Sequence, residues 1–261
     1  MYSIGFIGAG NMAGALMRGM MRGNLGVRDI VAYDLCGEKV LALGVAQAHS
    51  VEEAARLAPI LVVAVKPKDV GDVLRQLRDA GYPGALVSIA AGWTQEKLAE
   101  CFPGRAVVRM MPNTPALVGE GMIAIAENHT APADVLEKLT SMLASCGRVM
   151  LVPEAQMDAV VGISGSGPAY LYMFLEAFAD AGVRQGLPRE RAYTLAAQTM
   201  LGAAKMVLET GMHPGALKDA VCSPGGTTIE AVYALEKAGL RGAVMDAVDA
   251  CARRAAQMAG K

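Results

Sequence analysis

Short β-branched runs recur along the first 152 residues, and stretches with apolar residues at helical spacing lie between them. The runs predict buried strands, and the stretches predict helices. Alternation at this spacing is typical of parallel βαβ units with right-handed crossovers. We expect strands at 2–7, 29–33, 60–65, 85–89, 106–110, 122–126 and 148–152, and helices at 11–22, 50–57, 68–80, 94–101 and 133–144.

The pattern changes after Pro153, where the sequence predicts only helices. One begins at residues 164–168 (Ser-Gly-Ser-Gly-Pro), with proline in its first turn. Another runs from Pro188 to about Thr210 and carries apolar or small residues around nearly its whole circumference, which is typical of a helix buried on all sides. A segment of roughly 100 residues buries such a helix poorly by itself, so it predicts a subunit interface.

The fold class that follows is α/β. Residues 1–153 are expected to form an N-terminal Rossmann-type domain with a doubly wound parallel sheet. Residues 154–261 are expected to form a C-terminal all-α domain that mediates dimerisation.

Composition excludes several classes of function. A net charge of −1, without a cluster of Lys and Arg interleaved with aromatics, predicts no nucleic-acid partner. His49, His129 and His213 lie far apart, so no metal site is expected. The five cysteines are scattered, as in a reducing compartment. We see no signal peptide, and the purest apolar run is too short to span a bilayer, so the sequence predicts a cytoplasmic protein without membrane contact.

A glycine-rich turn follows the first predicted strand. Its residues, Gly8-Ala9-Gly10-Asn11-Met12-Ala13, fit G-x-G-x-x-G/A. In that fingerprint the first glycine permits the tight turn, the second admits the pyrophosphate, and the small third residue lets helix and strand pack closely. An acidic residue, Asp34, ends the second strand about 20 residues on, where a partner for the ribose is expected. The pattern predicts a dinucleotide site that includes Ile7, Gly8, Gly10, Asn11, Met12 and Asp34.

The residue type at position 34 bears on the choice of dinucleotide. A carboxylate accepts hydrogen bonds from a ribose 2′-hydroxyl and repels a 2′-phosphate, so Asp34 favours NADH over NADPH. Residues 35–37 supply no arginine to hold that phosphate. Alternatively, Asp34 only caps the turn into the next helix, and Arg or Lys from elsewhere serves NADPH.

Loops at the ends of later strands complete the predicted crevice, because ligands bind at the carboxyl ends of such strands. Lys66 is either a pyrophosphate contact or a solvated charge at a strand end. Asn113 and Thr114, in a loop with two prolines, either face the nicotinamide or form a structural turn. The candidate cofactor residues in these loops are Ala64, Val65, Lys66, Pro67, Ala90, Ala91, Asn113 and Thr114.

A second glycine-rich turn precedes a helix near residue 227, within Ser223-Pro224-Gly225-Gly226-Thr227-Thr228-Ile229-Glu230. Thr227 and Glu230 have the spacing of a capping box, which predicts Thr227 as the N-cap. The amides of Gly226, Thr227 and Thr228 would then bind a carboxylate or a phosphate, and the hydroxyl of Thr228 would stay available beside it. The alternative is an ordinary capped helix after a tight turn.

Together these segments resemble the pyrroline-5-carboxylate reductase family over essentially the whole chain. The resemblance rests on residues 6–12, 64–67, 111–115, 162–169 and 223–228. It implies a Rossmann domain, a helical domain that dimerises through interlocking helices, and homodimers that assemble into a larger ring such as a decamer. It also implies reduction of 1-pyrroline-5-carboxylate to L-proline by NADPH or NADH. Family members that prefer NADPH often carry Ser, Thr or Arg after the second strand, and Asp34 departs from that.

The resemblance also assigns roles near the second turn. The carboxylate of the substrate would bind around Gly225, Gly226 and Thr227, with help from Ser223. Thr228, the candidate catalytic residue, would hydrogen-bond the ring nitrogen, and Val221 would line the pocket. The family's site lies between subunits.

Two other functions are weighed against this one. A β-hydroxyacid dehydrogenase of similar shape needs a lysine after its Ser-Gly-x-Gly turn as general acid or base. Leu171 stands there instead, and Lys205 is expected to be a peripheral charge. An oligomer that senses dinucleotides without turnover has no need of Thr228 beside an anion site.

Overall fold

The computed structural model describes residues 1–260, so Lys261, the last residue of the predicted C-terminal domain, lies outside the described part. The chain divides by proximity into two compact units. The sheet unit contains Met1–Pro168 and the segment from Asp249 onward, and the helical unit is Ala169–Val248. The predicted division after residue 153 follows the change from strands to helices and stays a proposal.

An eight-stranded sheet in the order β3-β2-β1-β4-β5-β6-β7-β8 forms the centre of the sheet unit. Every neighbouring pair is parallel except β6 and β7, which run antiparallel. The strands are β1 (Ile4–Ile7), β2 (Ile30–Tyr33), β3 (Ala46–Gln47), β4 (Ile60–Val63), β5 (Ala85–Ser88), β6 (Val107–Met111), β7 (Gly121–Ala126) and β8 (Gly147–Val152).

The antiparallel pair departs from the expectation of parallel βαβ units throughout. Only residues 112–120 join β6 to β7, and they include the 3-10 helix Thr114–Val118. A parallel connection needs a crossover of about a dozen residues or more, so this short link returns the chain antiparallel.

The helices before Pro168 cover both faces of the sheet, as the doubly wound fold predicts. They are α1 (Asn11–Met21), α2 (Gly37–Leu41), α3 (Val51–Leu57), α4 (Val70–Asp79), α5 (Gln95–Cys101), α6 (Ala133–Leu143) and α7 (Met157–Val160). Leu16 of α1 and Leu139 of α6 share one buried core with Phe6 of β1. Leu74 of α4 and Leu98 of α5 share another core with Ile7. Adjacent residues of β1 thus point to opposite faces, as the pleat of a strand requires.

The later helices are α8 (Gly167–Arg184), α9 (Arg189–Thr210), α10 (Pro214–Val221), α11 (Thr227–Lys237) and α12 (Leu240–Met258). No strand follows Val152 in the described residues, which confirms the all-helical C-terminal region. The helix predicted to begin within residues 164–168, with Pro168 in its first turn, is confirmed, because α8 begins at Gly167. The helical backbone that precedes it, from Glu154 through the π-helix at Val161–Gly165, was not predicted.

Helix α9 differs from the buried helix that its sequence predicts. Of its residues only Ala192 and Ala196 are buried within the single chain. Leu195 and Leu208 are 55% and 57% exposed. The apolar surface of α9 therefore remains uncovered in one copy of the chain, as a subunit interface would. In residues 1–260, none of the helices combines the length and the apolar character needed to cross a bilayer.

Candidate functional site

The G-x-G turn is held by contacts that leave no room at its first glycine. Gly8 has a φ of +101°, and a Cβ there would lie 2.6 Å from the carbonyl oxygen of Ala64. The Gly8 amide donates to the carbonyl of Tyr33 at 2.7 Å, and the Ala64 amide donates to the carbonyl of Ile7 at 2.8 Å. The side chain of Ile7 is buried, so it supports the turn from beneath.

The second glycine faces open space. Gly10 is the N-cap of α1, and apart from its immediate neighbours along the chain no heavy atom lies within 4 Å of the position that its Cβ would take. No side chain caps this helix, and its first turn carries no acidic residue. The first amides of α1, including those of Asn11 and Met12, lack partners within the helix and suit an anion. These features fit the pyrophosphate of a dinucleotide.

Asp34 braces this turn from the end of β2. Its Oδ2 accepts a hydrogen bond from the Ala9 amide at 2.8 Å, and its Oδ1 accepts one from the Cys36 amide at 2.9 Å. Lys39 Nζ lies 3.6 Å from Oδ1. Burial by itself raises the pKa of Asp34, but the amides of Ala9 and Cys36 and the charge of Lys39 outweigh it and hold the pKa below 3.8. The carboxylate is thus ionised and caps the turn toward α2, and its contact with a ribose stays a proposal.

The loops after β4 and β5 are tied to each other. Trp93 Nε1 donates to the carbonyl of Pro67 at 2.9 Å. This bond links the segment after Ala90 and Ala91 to the segment 64–67. Lys66 is exposed and is the N-cap residue of the 3-10 helix Pro67–Asp69. Ala64 and Val65 are half-buried at the end of β4.

Asn113 is used largely by the fold. Its Oδ1 accepts from the Met122 amide at 2.9 Å, and its Nδ2 donates to the carbonyl of Ser164 at 3.0 Å. The structural turn weighed for this loop is therefore present. A contact of Asn113 with the nicotinamide stays a proposal that depends on its remaining amide hydrogen. Thr114, by contrast, is exposed.

A largely buried charge cluster around Arg109 was not predicted from the sequence. Arg109 of β6 is 1% exposed, and its guanidinium pairs with Glu154. Its Nη2 lies 4.0 Å from Oδ1 of Asp158. The available signal was an arginine inside the apolar run 107–111, because a charge is almost never fully buried without a partner.

The second glycine-rich turn lies in the helical unit. Gly226 donates its amide to the carbonyl of Ser223 at 3.0 Å, and Gly225 has a φ of +65°. Pro224 and Gly225 thus occupy the middle of a type II turn, the positions that each favours. A Cβ on Gly226 would lie 2.3 Å from Oγ of Ser223, so the side chain of Ser223 would have to move if this glycine were replaced.

The predicted capping box at this turn is wrong. Gly226 is the N-cap of α11 and no side chain caps the helix, so Thr227 is its first helical residue. The cause is the type II turn, which consumes the Gly226 amide and sets the helix start one residue earlier than predicted. The amides without helical partners are therefore those of Thr227, Thr228 and Ile229. The anion site expected at this helix start stays a proposal, shifted by one residue.

Exposure separates the side chains of this turn. Val221 is 66% exposed at the end of α10, and Ser223 and Thr227 are exposed as well. Thr228 is half-buried. In residues 1–260, His, Cys, Asp and Glu form no group of three that could hold a metal ion.

Comparisons with known proteins cover the whole chain. Residues 154–258 match the family described as pyrroline-5-carboxylate reductase dimerisation, and residues 3–92 match the family of coenzyme F420-dependent NADP oxidoreductases. Pyrroline-5-carboxylate reductase of Escherichia coli (strain K12) is 44% identical over 98% of this chain and 97% of its own. The enzyme of that name from Methanosarcina acetivorans is 43% identical over 99% and 98%. The crystal structure of Plasmodium falciparum pyrroline carboxylate reductase with NADP bound has a TM-score of 0.91, with 35% identity over 99% and 98%.

Proposed function

The chain belongs to the pyrroline-5-carboxylate reductase family, and from that premise we propose how its residues perform the reaction. It is an oxidoreductase that acts on a CH–NH group and reduces 1-pyrroline-5-carboxylate to L-proline. The observation that carries the proposal is the pair of glycine turns that open uncapped helices, at Gly10 and at Gly226. One suits a pyrophosphate and the other a carboxylate.

A pyridine nucleotide is bound by the turn that begins at Gly8, with its pyrophosphate beside Gly10 and the first amides of α1. Loops 64–67 and 90–91 and the Asn113–Thr114 turn border the nicotinamide end. When bound, the reduced nicotinamide supplies the hydride that C5 of the imine accepts.

The second turn holds the imine. The amides of Thr227, Thr228 and Ile229 bind its carboxylate, and Ser223 and Val221 border the ring. The ring nitrogen carries a proton, which makes C5 electrophilic, and donates it as a hydrogen bond to Oγ1 of Thr228. The half-buried position of Thr228 supports this assignment over the exposed Thr227. Once C5 has accepted the hydride, the nitrogen becomes an amine, so the protein needs no covalent intermediate and acts by positioning.

We propose NADH as the preferred coenzyme. The two amide bonds keep the carboxylate of Asp34 ionised at the end of β2, where it repels a 2′-phosphate. Lys39 favours NADPH instead, because its half-exposed ammonium group lies beside that carboxylate and would attract a 2′-phosphate. The closing of the turn by Asp34 does not by itself distinguish the two coenzymes.

The active form is proposed to be a homodimer, with dimers joined into a larger ring such as a decamer. The match of residues 154–258 to a dimerisation family supports an oligomer. The uncovered apolar side chains of α9 and the absence of any buried residue in α11 support a site completed by a second subunit. The five unpaired cysteines support a cytoplasmic location.

The test is a spectrophotometric assay of 1-pyrroline-5-carboxylate with each coenzyme, on wild type, Thr228→Ala and Thr228→Ser. We expect Thr228→Ala to lower kcat well over tenfold, which is more than about 1.4 kcal/mol of transition-state stabilisation. Binding of NADH, followed by fluorescence, should stay within about twofold, because the lost contact orients only the imine.

Thr228→Ser keeps the hydroxyl and should retain most of the activity. Thr140→Ala, the same change to alanine on α6, serves as the matched control and should leave kcat unchanged. Turnover at the wild-type rate in Thr228→Ala would remove this residue from the mechanism. A wild-type enzyme that oxidises hydroxyacids and leaves the imine untouched would instead favour the dehydrogenase alternative.

A further inference from the structure

Three segments meet at one largely buried cluster, which we call the arginine cluster: Gln95, Arg109, Glu154 and Asp158. Arg109 is on β6, four residues before Asn113. Gln95 begins α5, directly after the loop that contains Ala90 and Ala91. Glu154 and Asp158 precede the π-helix Val161–Gly165.

Glu154 connects two of these segments. Its Oε1 accepts from the guanidinium of Arg109 and, at 3.3 Å, from the amide of Gln95. Asp158 provides a second carboxylate 4.0 Å from the guanidinium. The segment that leads into the π-helix is thus fixed to β6 and to the start of α5.

Gln95 connects α5 to the backbone of β6. Its Oε1 accepts from the Arg109 amide at 2.7 Å, and its Nε2 donates to the carbonyl of Val107 at 3.0 Å. Gln95 is 1% exposed, so water does not compete for these bonds. A further tie lies beyond the cluster, where Asn113 donates to the carbonyl of Ser164 in the π-helix.

We infer that Arg109 is a positioning residue for hydride transfer. Through Glu154 and Asp158 it sets the distance between the Ala90–Ala91 loop, the Asn113–Thr114 turn and the π-helix. This inference rests on the proposed function, which places the nicotinamide against the first two of these segments. In this role the arginine cluster would contact neither the coenzyme nor the imine and would act only through the Ala90–Ala91 loop, the Asn113–Thr114 turn and the π-helix.

The make-up of the cluster favours positioning over stability alone. Nε of Arg109 and Oε2 of Glu154 are buried without a hydrogen-bond partner in residues 1–260. A buried ion pair can often be replaced by apolar residues without loss of stability. A planar guanidinium facing two carboxylates, however, fixes an orientation that neither apolar residues nor lysine reproduce.

The inference is tested on the whole 261-residue chain with Glu154→Gln and the double variant Arg109→Met/Glu154→Met. Glu154→Gln retains an acceptor and a similar shape and should fold. We expect it to lower kcat about tenfold, and the double variant more, while NADH binding stays within about threefold. With deuterated NADH, the primary isotope effect on kcat should rise, because hydride transfer becomes more strongly rate-limiting.

Leu139→Ala, in the core beneath α6, is the matched control for destabilisation. It should lower the melting temperature without changing kcat or the isotope effect. A folded Glu154→Gln enzyme with wild-type kcat and isotope effect overturns the inference, whatever the double variant does. Failure of the wild-type enzyme to reduce the imine overturns the proposed function instead, so the two failures are distinguishable.

Discussion

The two glycine turns have the same local design but opposite surroundings. The turn at Gly8 is enclosed by its own chain, with Ala64 above the first glycine and Asp34 bonded to Ala9. The turn at Gly225 closes only on itself, through the bond between Gly226 and Ser223, and no residue of the helix that follows is buried.

The difference concerns what each site requires before it can bind. The coenzyme turn is shaped within one chain, so a single folded copy can present it. The turn at Gly225, which we propose to bind the imine, has free amides at the start of α11, but no residue of α11 is buried in the single chain. We therefore expect the coenzyme to stay bound when the subunits dissociate, and we expect the imine to be released.

The largest expected effect is on the enclosed turn, from Gly8→Ala. Its Cβ would lie 2.6 Å from the Ala64 carbonyl at a φ of +101°, so we expect a loss of about 2–4 kcal/mol in the free energy of unfolding. Gly10→Ala is the matched control, since no heavy atom surrounds that position. It should keep the stability within about 0.5 kcal/mol yet weaken NADH binding about tenfold or more. Equal stability of the two variants in thermal unfolding would contradict the enclosure of Gly8.

At the open turn, Gly226→Ala should raise the KM for the imine about tenfold and leave NADH binding unchanged. The new methyl group would displace Oγ of Ser223, 2.3 Å away, and distort the amides behind it. Ser223→Ala/Gly226→Ala removes the clash and should recover part of the loss. A Gly226→Ala enzyme with a normal KM would show that the carboxylate binds elsewhere.

A smaller effect is expected from Asp34→Ser. Loss of the carboxylate should shift the ratio of kcat/KM for NADPH over NADH upward by about tenfold. Lys39→Ala sharpens the result, because it should reduce the use of NADPH and spare NADH. An unchanged ratio in Asp34→Ser would leave Asp34 as a turn cap alone.

The smallest effect is a pH dependence of stability. The pKa of Asp34 is lower in the folded chain than its ordinary 3.8. The ionised carboxylate therefore contributes fully to the free energy of unfolding at pH values above 3.8. The contribution is lost as the pH falls through the folded pKa. We expect the melting temperature of wild type to exceed that of Asp34→Asn at neutral pH, with the gap narrowing below about pH 4. A constant gap across that range would rule out a role for ionisation.

Much of the sheet unit follows from its sequence, because its buried strands are continuous apolar runs between turn signals. Ser50 and Thr94 were predicted as helical and are instead N-caps, a shift of one residue. The two-residue strand β3 has no such run and exists through its pairing with β2. The antiparallel direction of β7 was not predicted, because the residues of a strand do not determine its direction in the sheet. The short link before β7 does indicate that direction, since it is too short for a parallel crossover.

In the two candidate sites as well, features set by neighbouring residues could be predicted and features set by distant residues could not. The role of Gly8 could be predicted, because the backbone conformation at this position requires glycine and therefore appears in the sequence as a motif. The hydrogen bond that Asn113 donates to the carbonyl of Ser164 could not be predicted, because the two residues lie about fifty positions apart in the sequence. The start of α11 at Thr227 was misjudged because two local motifs competed for it, and the proline–glycine turn prevailed over the capping box.

The sheet unit consists of two separate stretches of the chain, Met1–Pro168 and the segment from Asp249 onward, and this affects the order in which it folds during synthesis. Its last piece is the end of α12, where Ala259 is buried and accepts a hydrogen bond from Lys97, and where Met258 lies against Gly92. A chain leaving the ribosome presents its N-terminal strands first, but the loop after β5 gains this support only after Met258 and Ala259 have been synthesised. A nascent chain stalled before Asp249 would thus have all eight strands of the described sheet and still lack this support for the loop after β5.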